Sequence, residues 1–226
     1  MIQVGLSFDD GLVDQLKWAH TLQVVGLRAI FYVSPGLLGS GINAKRQVYA
    51  TELHVARIAE MGHVVGNHTW KHEALATHAI GDCIEAADRA RVWLEKRGYN
   101  GTLLALPYGS RGGAWDEAAV AALHHLGYAT RDVRFAAEDA SLGALESCEL
   151  SLSAPLDLRY FHGNHNTDDD DLARFFYWLA AEQAAGRVQV VLPATGVAPA
   201  APQEPGKCTF PLAGAPLSAA LPLQGA

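Results

Sequence analysis

Two short segments of this sequence contain residues that can bind a metal ion and activate water. Residues 7–11 (SFDDG) place two adjacent carboxylates directly after a hydrophobic run, and residues 67–72 (NHTWKH) place two imidazoles four residues apart after another. One carboxylate and two neutral imidazoles can hold a divalent cation while leaving positions open for water and substrate. The spare carboxylate can then act as a base. The set therefore predicts metal-assisted hydrolysis.

Each candidate also has a structural explanation when it is taken alone. An Asp-Asp-Gly sequence after a strand is commonly a turn, in which Asp caps the next helix and Gly permits a tight bend. A His-x3-His pair also occurs by chance on surface helices. Further along, Pro107-Tyr108-Gly109 can be a simple turn, and His162 can be a buried imidazole, with His165 close by as a second candidate for its role. The positions of these residues relative to the predicted strands distinguish a structural role from a functional one.

Short apolar runs alternate with helical patterns along the chain, which indicates βα units and a mainly parallel sheet. Predicted helices include one with an apolar face at Leu12, Leu16, Ala19 and Leu22, and others over residues 84–94, 118–126 and 172–185. The seven predicted strands span residues 2–7, 28–33, 63–66, 103–106, 127–130, 156–161 and 187–192. Seven strands with intervening helices favour an α/β fold with a closed or nearly closed barrel.

The candidate residues all lie just after predicted strands. The two aspartates follow the first strand, the histidine pair follows the third, Tyr108 follows the fourth and His162 follows the sixth. The carboxyl ends of parallel strands face one side of a barrel, and barrel enzymes have their active sites on that side. We therefore expect these residues to meet in space although they are far apart in sequence.

Composition and charge limit the possible classes of function. The chain has 226 residues, of which 50% are hydrophobic, and this is enough for one catalytic domain. The formal net charge of -7 disfavours nucleic acid or an anionic membrane surface as the main partner. The 3 cysteines are far apart and indicate neither a disulfide framework nor a cysteine zinc site. A small neutral or polar substrate is expected.

The end of the chain has a different composition from the rest. Residues 198–226 are rich in Ala, Pro and Gly with little periodicity, so we expect a tail after a catalytic domain over residues 1–197. Residues 2–6 read directly as a strand, with no export signal or membrane span apparent. The corresponding expectation is a cytoplasmic location, and a sequence trimmed at its start would look the same.

Together, the motifs resemble the polysaccharide deacetylase family, also called the NodB homology or carbohydrate esterase 4 family. Residues 7–11 are similar to its first motif and residues 62–72 to its second. Residues 28–33 resemble its second strand, residues 104–109 a variant third motif ending in Pro-Tyr-Gly, and residues 158–163 a last motif ending in Phe-His-Gly. The resemblance extends from residue 2 to about residue 197. It implies a NodB-like distorted (β/α) barrel with a metal-dependent hydrolase site.

The resemblance also implies a role for each matching residue. Asp9 would be the general base, and His162 would be the general acid that gives a proton to the leaving amine. Tyr108 would contribute its backbone amide to the oxyanion hole. The metal ligands would be Asp10, His68 and His72.

One position departs from the family pattern. Many members have an arginine three residues before the tyrosine of the third motif, where it pairs with the base, and this chain has Ala105 there. Arg131, which follows the fifth predicted strand, could supply the pairing from a neighbouring strand end, or it could be a surface arginine. Asp132 beside it could orient His162.

Three functions remain open. The first is metal-dependent removal of an N- or O-linked acetyl group from a carbohydrate, such as a glycan that contains N-acetylglucosamine. The second is hydrolysis of another non-peptide C–N bond in a small molecule, and the third is a non-catalytic glycan-binding relative. A binding module has no need for a base beside a metal, which counts against the third. One Zn²⁺ ion is the expected cofactor, and Co²⁺, Ni²⁺, Mn²⁺ and Fe²⁺ are also compatible with these ligands.

Two further features have simpler explanations. The four aspartates at 168–171 suit the positive end of a following helix, and their spacing is not that of a calcium loop. Trp178 lies among aromatic residues and is expected in the core. Trp70 lies between the two histidines and could face either the substrate or the protein.

Overall fold

The computed structural model describes residues 1–73, 79–108, 117–131, 141–147, 159–163 and 169–192, of which 131, 147 and 159–163 are described by their backbone alone. Seven strands form one parallel sheet: β1 (Ile2–Phe8), β2 (Ile30–Val33), β3 (Val64–Asn67), β4 (Leu103–Ala105), β5 (Ala129–Arg131), β6 (Arg159–Gly163) and β7 (Val188–Val190). The helices are α1 (Gln15–Val24), α2 (Glu52–Glu60), α3 (Ile80–Glu95), α4 (Glu117–His125), α5 (Leu142–Ser147) and α6 (Asp169–Ala184). A short 3-10 helix spans Pro35–Leu37.

The sheet is curled into a half-barrel with strand order β5-β4-β3-β2-β1-β6. Strand β1 is central, because it pairs with β6 on one edge and with both β2 and β7 on the other. Strand β2 pairs with the carboxyl end of β1, and β7 pairs with its amino end. The predicted α/β fold with seven parallel strands and a distorted barrel is confirmed. Within the described residues, no pairing joins the end strands β5 and β6.

The strand register brings the carboxyl ends of the strands to one side. Ser7 near the end of β1 lies between Ile30 of β2 and His162 of β6. Further along the sheet, Asn67 at the end of β3 pairs with Leu104. Loops that follow these strands therefore begin at a common rim.

Apolar residues of β1 are buried on both faces, as is usual for a strand in the middle of a parallel sheet. The Phe8 ring stacks on Phe31 at a centroid distance of 4.8 Å and also contacts Trp18 of α1 and Phe176 of α6. Trp178 packs against the same cluster, as predicted. This core attaches α1 and α6 to the strand that carries the aspartates.

Some details differ from the sequence prediction. His162 and Arg131, predicted to follow the sixth and fifth strands, lie within β6 and β5. Leu12, predicted on the apolar face of the first helix, instead forms an antiparallel bridge with Tyr49, and α1 begins only at Gln15. None of the predicted helix ranges covers helix α2. It begins at a capping box, in which Thr51 accepts from the His54 amide while His54 Nδ1 accepts from the Thr51 amide.

The start of α6 agrees with the prediction for the acidic run. Its first turn contains Asp169 and the next two aspartates, and Asp169 accepts a hydrogen bond from Trp18 Nε1 at 3.1 Å. Aspartates at this position are favoured by the helix dipole. In the described part of the chain, no helix is long and apolar enough to cross a membrane. The predicted tail at 198–226 and its boundary lie outside the described residues.

Candidate metal centre

Three side chains from two separate loops meet at the rim of the sheet. Asp10 follows β1, His68 directly follows β3, and His72 lies four residues further along. Asp10 Oδ1 lies 3.3 Å from His68 Nε2 and 3.1 Å from His72 Nε2. The three potential ligand atoms all lie within 4.8 Å of one another, so one cation could contact all of them. The predicted convergence of these three residues therefore occurs.

The orientation of His68 is determined by the strand next to it. This imidazole is fully buried, and its Nδ1 donates a hydrogen bond to the backbone carbonyl of Ala105 at 2.9 Å. A carbonyl only accepts, so Nδ1 carries the proton and Nε2 presents its lone pair toward Asp10. Such a hydrogen bond to the non-ligating nitrogen is the usual support for a metal-binding histidine. Ala105 therefore takes part in the site through its backbone.

The loop that carries the histidines is supported from several sides. Ser34 Oγ donates to the His68 carbonyl at 2.8 Å, and the Gly36 amide donates to the Trp70 carbonyl at 2.8 Å. The Trp70 ring lies under the guanidinium of Arg89, which is 4.2 Å from its centroid. Trp70 thus packs against α3 and the 3-10 helix. This contact accounts for its position without a substrate.

Strained backbone conformations concentrate at the same place. The described residues other than glycine with φ between +57° and +80° are Asp10, Arg46, Thr69, His72 and Tyr108. Four of these five belong to the metal centre or adjoin it. The left-handed region costs free energy for residues with a Cβ atom, and its accumulation is typical of functional sites. The histidine pair consequently lies on an irregular loop rather than on a helix.

The charges at the site favour a cation. Burial alone would raise the pKa of Asp10, but hydrogen bonds and positive charge from His68 and His72 hold that pKa well below its usual range. Burial would lower the pKa of His68, whereas the negative charges of Asp9 and Asp10 raise it. Two carboxylates thus lie beside these imidazoles, and a divalent ion held by the same atoms would supply the positive charge that balances them.

Asp9 lies beside this group. Its carboxylate is close enough to His68 to affect the pKa of that imidazole, and its backbone carbonyl accepts a hydrogen bond from the side chain of Gln15. Gln15 is the first residue of α1 and is buried. The start of α1 therefore holds the turn that carries both aspartates. The sequence contained no local pattern that would have identified Gln15.

Tyr108 and two strand residues, His162 and Arg131, were also predicted to belong to the site. Tyr108 follows β4, its side chain is 61% exposed, and its ring contacts that of His72 at a centroid distance of 4.6 Å. The backbone of His162 in β6 lies beside Ser7 of β1, and that of Arg131 in β5 lies beside Ala105 of β4. The structure describes only the backbone of His162 and Arg131, and it describes neither Asp132 nor His165.

Tyr49 is a residue of this region that the sequence prediction missed. It lies in the loop between β2 and α2 and pairs with Leu12, two residues after Asp10. The loop sequence contained no motif that could have marked it. Its position depends on a long-range backbone contact.

The sequence as a whole matches the family model described as polysaccharide deacetylase over residues 2–130. This range includes the aspartates, the histidine loop and Tyr108, and it covers more than half of the chain. This chain belongs to the polysaccharide deacetylase family. The match ends before β6, so His162, the predicted general acid, lies beyond the matched residues. No curated protein sequence was found to match the chain.

Solved structures of carbohydrate esterase 4 proteins share the fold of this polysaccharide deacetylase family member. A family 4 carbohydrate esterase from Streptomyces lividans has a TM-score of 0.58 and 17% identity, covering 84% of this chain and 92% of the other. The chitin deacetylase of Colletotrichum lindemuthianum has a TM-score of 0.56 and 20% identity, covering 87% and 88%. A protein described as a family pseudoenzyme from Bacillus anthracis has a TM-score of 0.58 and 12% identity, covering 84% and 63%. At these identities, the likeness establishes the fold alone.

Proposed function

We propose that this chain is a metal-dependent hydrolase that removes an N- or O-linked acetyl group from a carbohydrate, for example a glycan that contains N-acetylglucosamine. The observation that carries the proposal is the convergence of Asp10, His68 and His72 in a member of the polysaccharide deacetylase family. A carbohydrate substrate is supported by the family and by the structural relatives, which include a carbohydrate esterase and a chitin deacetylase.

The donor set fits one divalent cation. Asp10 Oδ1 and the Nε2 atoms of His68 and His72 would hold it, and the hydrogen bond from His68 to the Ala105 carbonyl already sets the required tautomer. When bound, such an ion polarises the acyl carbonyl and makes water acidic near neutral pH. Imidazole and carboxylate ligands suit Zn²⁺, which we propose first, and also Co²⁺, Ni²⁺, Mn²⁺ and Fe²⁺.

Asp9 would take the proton of the attacking water. It is adjacent to Asp10 in sequence and close to His68, and Gln15 holds its backbone. A carboxylate beside a cation stays ionised and can accept a proton. General bases of this kind typically contribute about 10²- to 10⁴-fold to the rate.

The other two roles concern the acyl oxygen and the leaving group. The Tyr108 backbone amide would donate to the oxygen on which negative charge develops, a contribution of about 3 kcal/mol in comparable sites. His162 would give a proton to the leaving amine or alcohol. Strand β6 supports this assignment, because its register places the backbone of His162 beside Ser7, two residues before Asp9.

We also propose Arg131 as the charge partner of Asp9. Ala105 occupies the position at which many family members have an arginine, and the backbone of Arg131 is its partner in the neighbouring strand. An arginine that starts from this position could replace the missing charge from the adjacent strand end. Its guanidinium would keep Asp9 ionised and oriented.

The test combines metal analysis with an acetate-release assay on chito-oligosaccharides and peptidoglycan fragments. Wild type should bind about one divalent ion per chain and release acetate. Asp9→Asn should retain the ion but lose at least about 100-fold in rate, because it removes the base and not a metal ligand. The matched control is Asp14→Asn, an exposed aspartate of the same segment, which should leave both unchanged.

Three outcomes would contradict parts of this proposal. A protein that binds the ion yet releases no acetate from any of these substrates would favour the hydrolase of another C–N bond or the non-catalytic glycan-binding relative. An unchanged rate in Asp9→Asn would exclude Asp9 as the base. If Arg131→Ala keeps both the rate constant and its pH profile, Arg131 is not the partner of Asp9.

A further inference from the structure

The loop between β2 and α2 contains a small antiparallel hairpin over residues 39–50, which we call the 39–50 hairpin. Its ends are joined by hydrogen bonds from Gly39 to Ala50 and from Tyr49 to Gly41, both 2.9 Å long, and Ile42 and Val48 form a further bridge. Hydrogen bonds of this kind give the loop a defined position.

Asn43 organises the turn of this hairpin. Its Oδ1 accepts from the backbone amides of Lys45 and Gln47, and its Nδ2 donates to Gln47 Oε1, each at 2.9 Å. The second amide hydrogen remains available for the Tyr49 hydroxyl, with which the Asn43 side chain also interacts. The same side chain therefore stabilises the turn and contacts the Tyr49 phenol.

The 39–50 hairpin is attached to the segment that carries the aspartates. The Ala50 amide donates to the Gly11 carbonyl at 2.8 Å, and the Val13 amide donates to the Val48 carbonyl at 2.9 Å. Between these two bonds, Tyr49 and Leu12 form an antiparallel bridge. The backbone of Tyr49 is consequently fixed only two residues from Asp10 along the paired segment.

The phenol of Tyr49 belongs to the electrostatic environment of the metal centre. Burial raises its pKa, and the nearby Asp10 carboxylate and Tyr108 hydroxyl raise it further, while Asn43 acts in the opposite direction. The side chain is only partly buried, so part of it remains accessible to a ligand. At neutral pH, the group is therefore an uncharged hydrogen-bond donor at the edge of the site.

We propose that the Tyr49 hydroxyl binds the substrate by donating a hydrogen bond to an oxygen of the sugar ring that bears the acyl group. The charged groups of the metal centre would act on the acyl group and on water. The sugar ring that bears the acyl group also presents hydroxyl oxygens, which a neutral donor can bind. A phenol on the hairpin strand that pairs with the segment directly after Asp10 is suited to recognise such an oxygen. This inference rests on the proposed function and adds a residue that selects sugars over other acyl compounds.

The test compares Tyr49→Phe with wild type on two substrates, an N-acetyl chito-oligosaccharide and 4-nitrophenyl acetate, which has no sugar hydroxyl. Loss of one neutral hydrogen bond should raise KM for the sugar about 3- to 10-fold and change kcat less than about twofold. The kcat/KM for 4-nitrophenyl acetate and the bound metal should stay the same, and the Tm should fall only slightly, because the contact with Asn43 is lost while the ring and backbone are retained.

The matched control is Tyr177→Phe, which removes the hydroxyl of an exposed tyrosine on α6 and should change neither KM nor Tm. If wild type is active and Tyr49→Phe has the same KM for the sugar, the inference is wrong and the proposed function stands. If Tyr49→Phe loses Tm and activity toward both substrates equally, Tyr49 only stabilises the hairpin, and the inference is also wrong. A wild type that neither binds the sugar by calorimetry nor releases acetate overturns the proposed function and the inference together.

Discussion

Single residues outside the proposed chemistry determine where the site residues lie. Gln15 shows this most directly, because its side-chain amide holds the Asp9 carbonyl in the turn before α1. Its other side-chain atom, the buried Oε1, has no hydrogen-bond partner among the described residues. One atom of Gln15 therefore stabilises the turn while another carries a desolvation cost.

These two effects can be separated with Gln15→Met. The substitution keeps the side-chain volume, removes the hydrogen bond to Asp9 and also removes the buried Oε1, so the unfolding free energy should change by less than about 1 kcal/mol. The affinity for Zn²⁺ should fall about tenfold, because the turn that carries Asp10 loses its support. A chelator competition assay measures the affinity, and urea unfolding measures the stability.

The control for this change is Gln23→Met on the exposed side of α1, which should affect neither quantity. Equal zinc affinity in Gln15→Met and wild type would mean that the turn holds its geometry without Gln15.

At the scale of elements, the histidine loop depends on its close contact with the 3-10 helix. A Cβ atom added to Gly36 would lie 2.6 Å from Trp70 Nε1 and 2.7 Å from the Trp70 carbonyl oxygen. Neither distance is tolerable, and one of the two atoms belongs to the backbone. The glycine is therefore required by the packing between two loops that follow β2 and β3.

Gly36→Ala should consequently displace the loop between His68 and His72. We expect a loss of about 1–3 kcal/mol in stability from overpacking and a loss of at least tenfold in zinc affinity. Urea unfolding and chelator competition test the two effects. Gly81→Ala is the control, since a Cβ there meets no atom within 4 Å and lies in α3, where alanine should stabilise by about 0.5–1 kcal/mol. Unchanged zinc affinity in Gly36→Ala would show that the loop adapts.

His63 joins three elements without being part of the site. Its Nδ1 accepts from the Ala29 amide at 3.2 Å, and its Nε2 donates to the Ala19 carbonyl at 2.8 Å. Burial lowers the pKa of this imidazole, and the positive charge of Arg28 lowers it further, against the effect of the Ala19 carbonyl. The neutral form therefore links α1 to the start of β2, and a proton on Nδ1 would face a backbone N–H.

The lowered pKa of His63 predicts that the stability of the fold decreases at acidic pH. Because the folded pKa lies below the value of 6.5 for an unperturbed histidine, its stabilising effect is complete above pH 6.5 and is lost as the pH falls through the folded pKa. His63→Gln cannot titrate, so its unfolding free energy should fall less between pH 7.5 and pH 5 than that of wild type. Urea unfolding in the presence of a chelator measures both. Parallel pH profiles for the two proteins would contradict this explanation.

For the whole molecule, the left-handed residues around the centre imply that folding places strain where the metal would bind. Four such residues lie on loops from three strands, and each costs about 1–3 kcal/mol unless the surroundings compensate. Two carboxylates and two imidazoles are also brought together there. A cation bound only by the folded state would offset part of this cost.

The expected result is a metal-dependent melting temperature. Zn²⁺ at about 100 times its Kd should stabilise the wild type by about 2.7 kcal/mol, which corresponds to about 5–10 °C in Tm for a chain of this size. Asp10→Asn should lose most of this shift, whereas His20→Ala, which removes an exposed histidine of α1, should retain it. Thermal unfolding with and without chelator provides the measurement. The same shift in Asp10→Asn as in wild type would place the ion elsewhere.

The sequence by itself determined the seven parallel strands and the set of side chains that could bind a metal ion. Apolar runs are visible locally, and parallel strands bring their carboxyl ends to one rim, so Asp10, His68 and His72 could be expected to meet. Tertiary structure alone decided that the Ala105 carbonyl orients His68, that Gln15 holds Asp9 and that Tyr49 pairs with Leu12. Each of these is a contact between backbone groups or side chains from different segments, and such contacts leave no periodic or compositional trace in the sequence.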